Sequence, residues 1–402
     1  MTTALSRWPV SSASALLAAI TIACKPVSVD SGPRAVLTDS GGVVIQTSTP
    51  GTLTPDWQVA HSRAVAVRDD LYRIRGATFL DNGLTAVANA GTFDVRIYSP
   101  EGHLVARGGR RGRGPGEYQA LAEIHSYRGD SLIVFDRRAR RYSVLDHLGT
   151  YVRSFSVAGP EGGPTDVTLE GATDSGELIM LTLSAIVPGS SPGIRRPTET
   201  LLRYGPTGAV IGPITPVPGA EQFVDSKGGG WLRSFGRRTA ALVVGSEVFV
   251  TTGDAHEVRV YGLDGTLRRV LRIATEPIEV RPQHIAAYRD RLRRAGPRFA
   301  GLPAHVRQSY EATMRSMSFP DVFPAFTALR YDDAGQLLLR TYTPPGATET
   351  TWFVVGPSGA VVARLFVPAS MVLHDVRGKR ALVGWADSLG VEHVGVAPIV
   401  QR

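Results

Sequence analysis

The stretch FDVRIYSPEGHLVARGGRRGRGPGEY, residues 93–118, decides the fold. Its first half predicts a β-hairpin, because Val95, Ile97 and Tyr98 form a short run rich in β-branched and aromatic residues. Residues 99–102 (SPEG) favour a turn, and residues 104–105 begin a return strand. Its second half is a Gly-rich connection that runs to Tyr118. The hairpin recurs along the chain, and the recurrence predicts the architecture.

The hairpin is marked by a Gly that lies four residues after an apolar residue. Five copies carry this marker: Tyr98/Gly102, Leu145/Gly149, Tyr204/Gly208, Tyr261/Gly265 and Val355/Gly359. Each copy predicts a strand, a tight turn and a second strand.

A second marker, a Gly-containing turn followed by a strongly apolar strand, occurs six times. Its turns are Asp81-Asn82-Gly83, Arg128-Gly129-Asp130, Asp174-Ser175-Gly176, Val244-Gly245-Ser246, Asp333-Ala334-Gly335 and Arg377-Gly378-Lys379. The gaps between their glycines are 46, 47, 69, 90 and 43 residues, and the short gaps match a four-stranded propeller blade of about 40–50 residues. We refer to these six segments as the marker turns.

The repeats predict an all-β fold, a six-bladed β-propeller in residues 41–402, with a seven-bladed ring as the alternative. The apolar strands after the marker turns are predicted to be inner strands that are buried on both faces. The longest gap predicts a helical insertion at residues 276–326, before the fifth blade, where apolar residues recur at helical spacing. The last blade lacks a strand, so we expect residues 42–48 or 57–67 to complete it.

The N-terminus predicts export. Residues 1–23 contain one charge, Arg7, and an apolar run of the length found in signal peptides, which predicts a cleaved signal. The segment ends in Thr21-Ile22-Ala23-Cys24, which resembles a bacterial lipobox, and Cys24 is the only cysteine of the chain. The resemblance implies that Cys24 carries a lipid and that residues 24–40 form a flexible tether to the periplasmic or cell-surface side of a membrane. An ordinary secretory signal is the alternative.

The connection Gly112–Tyr118 is similar to the G-x-G-P-G-E/Q-F connection of NHL-type propellers. Over residues 40–400 the chain resembles the bacterial six-bladed β-propeller lipoproteins, which share the TolB-like propeller superfold. The resemblance implies the fold and export. It implies no catalytic residue.

Two sets of residues are candidates for a ligand site. Arg110, Arg111 and Arg113, with Glu117, lie on one connection and predict an anion-binding rim, while a solvated loop is the alternative. Four residues near strand ends predict a divalent-metal site at the channel, as in lactonase-type propellers, with turn capping as the alternative: Asp136, Asp254, His374 and Asp375.

The composition limits the functional classes. The net charge is +8 and nearly all of it is Arg, but Asp and Glu are interspersed, so we expect a solvated surface and no nucleic-acid partner. A single Cys excludes an internal disulfide and a Cys-rich zinc site. The sequence therefore predicts a monomeric, lipid-anchored propeller without a required cofactor that binds a ligand or an envelope protein on one face. A metal-dependent lactonase or lyase is the alternative. We further expect a channel mouth ringed by Arg and polar side chains rather than by a metal site.

Overall fold

The computed structural model describes residues 34–51, 54–159, 166–186, 191–225, 229–294 and 303–402. The predicted signal segment, Cys24 and the first part of the predicted tether lie outside the described residues. Residues 36–40, which the sequence places at the end of the tether, form a strand. No helix in the described ranges is both long enough and apolar enough to span a membrane.

The chain begins with four short strands whose partners mostly lie far along the sequence. They are β1 (Val36–Ser40), β2 (Val43–Ser48), β3 (Asp56–Val59) and β4 (Val65–Ala66), with a 3₁₀ turn at His61–Arg63. Strands β1 and β2 form an antiparallel hairpin.

Two antiparallel sheets of four strands follow, each in chain order. The first contains β5 (Ile74–Phe79), β6 (Thr85–Asn89), β7 (Asp94–Tyr98) and β8 (Leu104–Gly108). The short parallel pair β9 (Arg110–Arg111) and β10 (Glu117–Tyr118) connects it to the second sheet. The second contains β11 (Leu121–Tyr127), β12 (Ser131–Asp136), β13 (Arg141–Leu145) and β14 (Tyr151–Phe155).

The third and fourth strand groups carry additions. The third contains β15 (Val167–Ala172), β16 (Leu178–Thr182), β18 (Thr198–Tyr204) and β19 (Val210–Pro218). A separate three-stranded sheet contains β17 (Gly193–Arg195), β20 (Gln222–Val224) and β21 (Gly230–Leu232). The fourth group contains β22 (Ala240–Val244), β23 (Glu247–Thr251), β24 (Glu257–Gly262) and β25 (Leu267–Ile273), and β2 extends it by pairing in parallel with β25.

Two helices, α1 (Pro282–Arg294) and α2 (Ala304–Ser316), lie between β25 and the next strand. The remaining strands are β26 (Phe326–Tyr331), β27 (Leu337–Thr341), β28 (Glu349–Val355), β29 (Val361–Pro368), β30 (Met371–Arg377), β31 (Arg380–Ala386) and β32 (Glu392–Gln401). Strand β3 lies between β29 and β32, and β4 also pairs with β32. The segment 57–67 therefore pairs with the last strand of the chain, as the sequence predicted for one of two segments.

Each hydrophobic cluster lies between two neighbouring strand groups. One cluster joins Leu382 and Val394 near the C-terminus to Phe79 and Val87 of the first group. Because this contact connects the end of the chain to its beginning, the strand groups close on themselves. This is the arrangement of a β-propeller.

The apolar strands after the marker turns lie second from the central channel. Strand β6 is buried at all five positions. Strand β5, which precedes the marker turn and faces the channel, is half-buried at Ile74 and Gly76 and exposed at Arg75. The second strand packs on both faces, so its sequence is continuously apolar. The innermost strand has one face on the channel and keeps polar side chains there.

The hairpin glycines recur for a steric reason. Gly102 has a φ of +81°, which favours Gly over other residues, and an added Cβ would clash with the carbonyl of Ala66. Gly265 has a φ of +82° and lies in the same way against the carbonyl of Ile214. Each of these turns packs on the outer strand of the preceding group, so the repeated Gly marks contact between neighbouring groups.

Candidate functional site

The predicted Arg-rich connection is organised by Glu117. Its carboxylate accepts hydrogen bonds from the backbone N–H groups of Arg113 (2.9 Å) and Gly114 (2.8 Å) and from Arg110 Nε (2.8 Å). The N–H of Gly114 and the guanidinium of Arg110 hold the pKa of Glu117 below its usual value. The guanidinium of Arg141 donates to the carbonyls of Gly114 (3.0 Å) and Glu117 (2.8 Å) from the other side.

The arginines of this connection therefore have structural contacts in the fold. Arg110 is 81% exposed and pairs with Glu117, and the guanidinium of Arg111 lies 5.5 Å from the centre of the Phe93 ring. Arg113 contributes its backbone N–H to the turn. The connection is a braced turn between two strand groups.

Asp136 is fully buried and also organises backbone. Its carboxylate accepts four hydrogen bonds, from the N–H groups of Gln119 (2.7 Å), Ala120 (3.1 Å), Arg138 (3.0 Å) and Ala139 (3.1 Å). The carboxylate thus ties the segment before β11 to the turn after β12.

The other predicted metal ligands have their own partners. Asp254 pairs with Arg196 (2.5 Å) and lies 3.6 Å from Arg237. Asp375 accepts from the Thr78 hydroxyl (3.1 Å) and the N–H of Phe79 (2.9 Å). In the described ranges no three His, Cys, Asp or Glu side chains are placed to hold a metal ion, so Asp136, Asp254, His374 and Asp375 do not form one ligand group.

A central channel of about 590 Å³ runs between the innermost strands. Its lining comes from β5, β11, β15, β22, β26 and β30. Carboxyl groups lie on one side, from Glu123 and Glu170, and cationic or imidazole side chains lie on another, from Arg330 and His374. We call the side with Glu123 and Glu170 the acidic wall and the side with Arg330 and His374 the basic wall; His125 also lies beside Glu123, and Asp375 beside His374.

Glu170 is the most perturbed carboxyl of the acidic wall. Its pKa is about 8: burial raises it most, the N–H of Ala241 that donates to the carboxyl at 3.2 Å opposes this, and the neighbouring carboxylates of Glu123 and Glu199 add to the rise. At neutral pH it is therefore mostly protonated. The Oε2 atom of Glu123 is buried and has no hydrogen-bond partner among the described residues, and His125 Nε2 lies 3.7 Å from it.

The basic wall is also desolvated. Arg330 donates from Nε to the carbonyl of His374 (2.7 Å) and from Nη1 to that of Leu329 (2.7 Å), and burial and then Arg340 lower its pKa. Burial, with the charge of Arg330, lowers the pKa of His374 to about 4, so its imidazole is neutral. Burial raises the pKa of Asp375, although the N–H groups of Phe79 and Val376 oppose this.

A larger recess of about 770 Å³ lies at the end of the channel where four of the innermost strands end and marker turns begin. We call it the mouth recess. It is lined by three arginines, by two carboxylates and by neutral residues, and the charged residues are Arg128, Arg153, Arg377, Asp81 and Asp174. Its lining mixes Arg with polar side chains, as the sequence led us to expect for the channel mouth.

The three arginines of the mouth recess differ in how they are held. Arg377 donates to the carbonyl of Leu80 (2.7 Å) and to Asp81 (3.0 Å), and Arg153 donates to the carbonyl of Pro206 (2.8 Å). Arg128 is exposed, and within the described part of the chain its guanidinium has no hydrogen bond or ion pair. Two guanidinium groups are thus fixed by the fold, and the third is available to a ligand.

The sequence contained a signal for these residues. Arg128 and Arg377 belong to two of the six marker turns, at the position just before the Gly. The marker turns predict the repeats, but their side chains are not among the predicted site residues. Turns at equivalent places in a ring lie on the same face, so charged residues within them were candidates for the mouth.

Comparisons with known proteins support the fold. No family model and no curated protein sequence matches the chain. Among solved structures, a member of the DUF4221 family from Bacteroides vulgatus has a TM-score of 0.50 at 12% identity, covering 92% of this chain and 99% of that one. A protein of Bacteroides fragilis described as exported has a TM-score of 0.47 at 10% identity, with 89% and 99% covered. Regucalcin, a calcium-binding protein from Agrobacterium tumefaciens, has a TM-score of 0.41 at 11% identity, with 87% and 98% covered.

At such identities a structural likeness bears on the fold alone. The strand pairing and the likeness to the DUF4221 member together show an all-β protein of the β-propeller type.

Proposed function

We propose that this chain is an exported, lipid-anchored, six-bladed β-propeller that binds a small polar anion in the mouth recess. Export and anchoring rest on the signal-like segment 1–23 and on Cys24. The lipid would hold the propeller at a membrane, with residues 24–35 as the tether.

The blade count rests on the six innermost strands that line the channel. Each of them begins a run of consecutive antiparallel strands, and β3 and β4 complete the last run by pairing with β32. The helices α1 and α2 are the insertion before the fifth blade.

The single observation that supports an anionic ligand is the placement of Arg128. This guanidinium borders a recess of about 770 Å³, while Arg153 and Arg377 are oriented beside it by backbone carbonyls. An Arg offers a planar fork of N–H donors that matches a carboxylate or phosphate, and two guanidinium groups held by the fold lose little side-chain entropy on binding. Asp81 and Asp174 at the rim would orient hydroxyl or amine groups of the same ligand.

The proposal is tested by thermal-shift screening of the mature protein. The probes are small dicarboxylates, sugar acids and sugar phosphates, with matched neutral sugars and diamines as controls. The best probe is then titrated by calorimetry into wild type and Arg128→Gln. The matched control is Arg195→Gln, which removes an exposed Arg from β17, away from the recess lining.

We expect anions to stabilise the protein, and we expect Arg128→Gln to weaken binding about tenfold or more, because a hydrogen bond to a charged group contributes about 1.5–3 kcal/mol. Arg195→Gln should bind like wild type. Preference for neutral or cationic probes, or equal loss in both variants, would contradict the proposal.

A further inference from the structure

A second recess lies at the opposite end of the innermost strands. It encloses about 320 Å³ where β22 and β26 begin, and we call it the helix-side recess. Its lining includes Arg238, Arg340, Phe235 and Tyr342. Because Phe326 at the start of β26 pairs with Thr341 at the end of β27, this recess and the marker turns lie at different ends of the strands.

Aromatic rings form one side of the helix-side recess. The Phe235 ring lies 5.0 Å from the rings of Tyr288 and Phe323 and 5.9 Å from that of Tyr342. The rings of Phe323 and Tyr342 are stacked at 4.5 Å. Tyr288 belongs to α1, so the helical insertion contributes to this aromatic group.

Phe235 has an unusual backbone conformation. Its φ is +59°, which is uncommon for a residue with a bulky side chain, and the side chain is nevertheless buried. Packing from several rings compensates for this conformation. Such outliers cluster at functional sites, and Phe235 belongs to the lining of the recess.

Positive charge at the helix-side recess exceeds the negative charge that could balance it. The nearby carboxylates are already engaged: Glu221 pairs with Arg233 (3.1 Å), and Asp254 pairs with Arg196. Within the described residues, the guanidinium groups of Arg340 and Arg238 have neither a hydrogen bond nor a carboxylate partner. Two arginines of the lining are thus left without a counter-charge.

The desolvation of the Arg340 guanidinium also favours a bound anion. Its side chain is half-buried, and burial lowers its pKa. A desolvated cation without a partner is unfavourable, and an anion bound beside it would remove that cost. Tyr342 adds a neutral hydroxyl donor, because burial and then Tyr288 raise its pKa to about 12 although Arg291, Arg238 and Arg340 lie near it.

We propose that the helix-side recess is a second ligand site, which binds a small anion carrying a flat aromatic or conjugated ring, such as an aromatic carboxylate. The anionic group would lie between Arg238 and Arg340, and the ring would pack against Phe235 and Tyr342. The guanidinium fork selects a carboxylate, and offset stacking selects a flat ring over a saturated one. The recess is at the small end of the range for ligand pockets, which fits a single substituted ring.

The test measures the binding of the probe para-fluorobenzoate to the mature protein, by fluorine NMR and by calorimetry. Para-fluorobenzylamine has the same ring with a positive charge, cyclohexanecarboxylate has the charge without a flat ring, and inorganic phosphate is an anion without a ring. The variants are Arg340→Gln and Arg238→Gln. Arg340 has no partner within the described chain, so its replacement breaks no described contact and the fold is expected to remain intact, which thermal unfolding checks.

We expect para-fluorobenzoate to bind, and we expect each variant to weaken it about tenfold or more. Arg128→Gln should leave this binding unchanged, which separates the inference from the proposal for the mouth recess. Loss of binding in Arg128→Gln alone would place the probe at the mouth and overturn the inference. Equal binding of phosphate or cyclohexanecarboxylate would overturn the role of the aromatic rings, and absence of binding at millimolar probe would overturn the site.

Discussion

The protonation of Glu170 in the channel predicts how the stability of the fold depends on pH. Its pKa is about 8 in the folded chain against an ordinary value of 4.5, so the folded state holds the proton more tightly than the unfolded state does. The contribution of this group to the free energy of unfolding is fully present below pH 4.5. It is lost as pH rises through about 8, where the buried carboxyl must ionise.

The substitution Glu170→Gln removes the titration while keeping the oxygen that accepts from Ala241. One pH unit corresponds to about 1.36 kcal/mol, so a pKa moved from 4.5 to about 8 gives at most about 5 kcal/mol. We therefore expect the variant to match wild type near pH 4 and to be more stable above pH 8. The true difference is smaller than the maximum because the side chain borders the channel.

The measurement is the free energy of unfolding in urea at a series of pH values for wild type and Glu170→Gln. The control is Glu279→Gln, which changes the net charge equally at a residue whose side chain is 70% exposed. Other groups that titrate, such as Asp375, are present in both proteins and cancel in the difference. Parallel curves for wild type and Glu170→Gln would refute the reasoning, as would a variant that is less stable at every pH.

Three further predictions concern single side chains. The pKa of His374 is lowered from 6.5 to about 4, so its contribution to the free energy of unfolding is present above pH 6.5 and is lost as pH falls through 4. In urea unfolding at a series of pH values, His374→Gln should reduce the loss of stability at acid pH by up to about 3 kcal/mol. Asp136→Asn should lower the free energy of unfolding by about 2–3 kcal/mol, because the amide NH₂ cannot accept hydrogen bonds from the backbone N–H groups that donate to the carboxylate. An unchanged midpoint of urea unfolding would contradict this. Glu117→Ala should loosen the connection that this carboxylate braces, so trypsin should cleave after Arg110 and Arg113 sooner than in wild type. Mass spectrometry of timed digests measures the cleavage rates. The control Glu101→Ala, at the tip of the preceding hairpin, should leave these rates unchanged.

The repeat could be predicted from the sequence because its markers have steric causes. A Gly with positive φ is needed where the hairpin turn at Gly102 packs on Ala66, and a continuously apolar run is needed where β6 is buried on both faces. Both requirements are local and recur with every strand group. The alignment of the markers therefore predicted the propeller type before any contact was known.

The pairing of the N-terminal strands could be predicted only in outline. Residues 42–48 and 57–67 were equal candidates to extend the last strands, since both have strand character and neither carries a marker. In the structure β2 pairs in parallel with β25, whereas β3 and β4 pair with β32. The choice depends on which sheet edge each segment reaches once the ring has closed, and this is a non-local property.

The sites were harder to predict than the fold because an Arg can either stabilise a turn of the fold or bind a ligand, and the sequence does not distinguish the two. Arg110 and Arg113 lie close together in the sequence, yet Glu117 and the backbone of their own turn engage that segment. Arg128 and Arg340 have no neighbouring Arg in the sequence, and each lines a recess. Neither guanidinium pairs with a carboxylate among the described residues. Arg110 has its partner only seven residues away, whereas the surroundings of Arg128 and Arg340 are set by strands that lie far away along the chain.

The position of the two recesses follows from the geometry of the innermost strands. Charged side chains midway along β11 and β15 lie close together on one side of the narrow channel, so they must be protonated or paired, as Glu170 is protonated at neutral pH. At the strand ends the backbone turns away from the axis, and guanidinium groups such as those of Arg128 and Arg238 are exposed to solvent when no ligand is bound. An unpartnered cation is therefore tolerated at either end of the channel, while its middle favours neutral or paired groups. This physical difference explains why both proposed anion sites lie at the ends of the same strands.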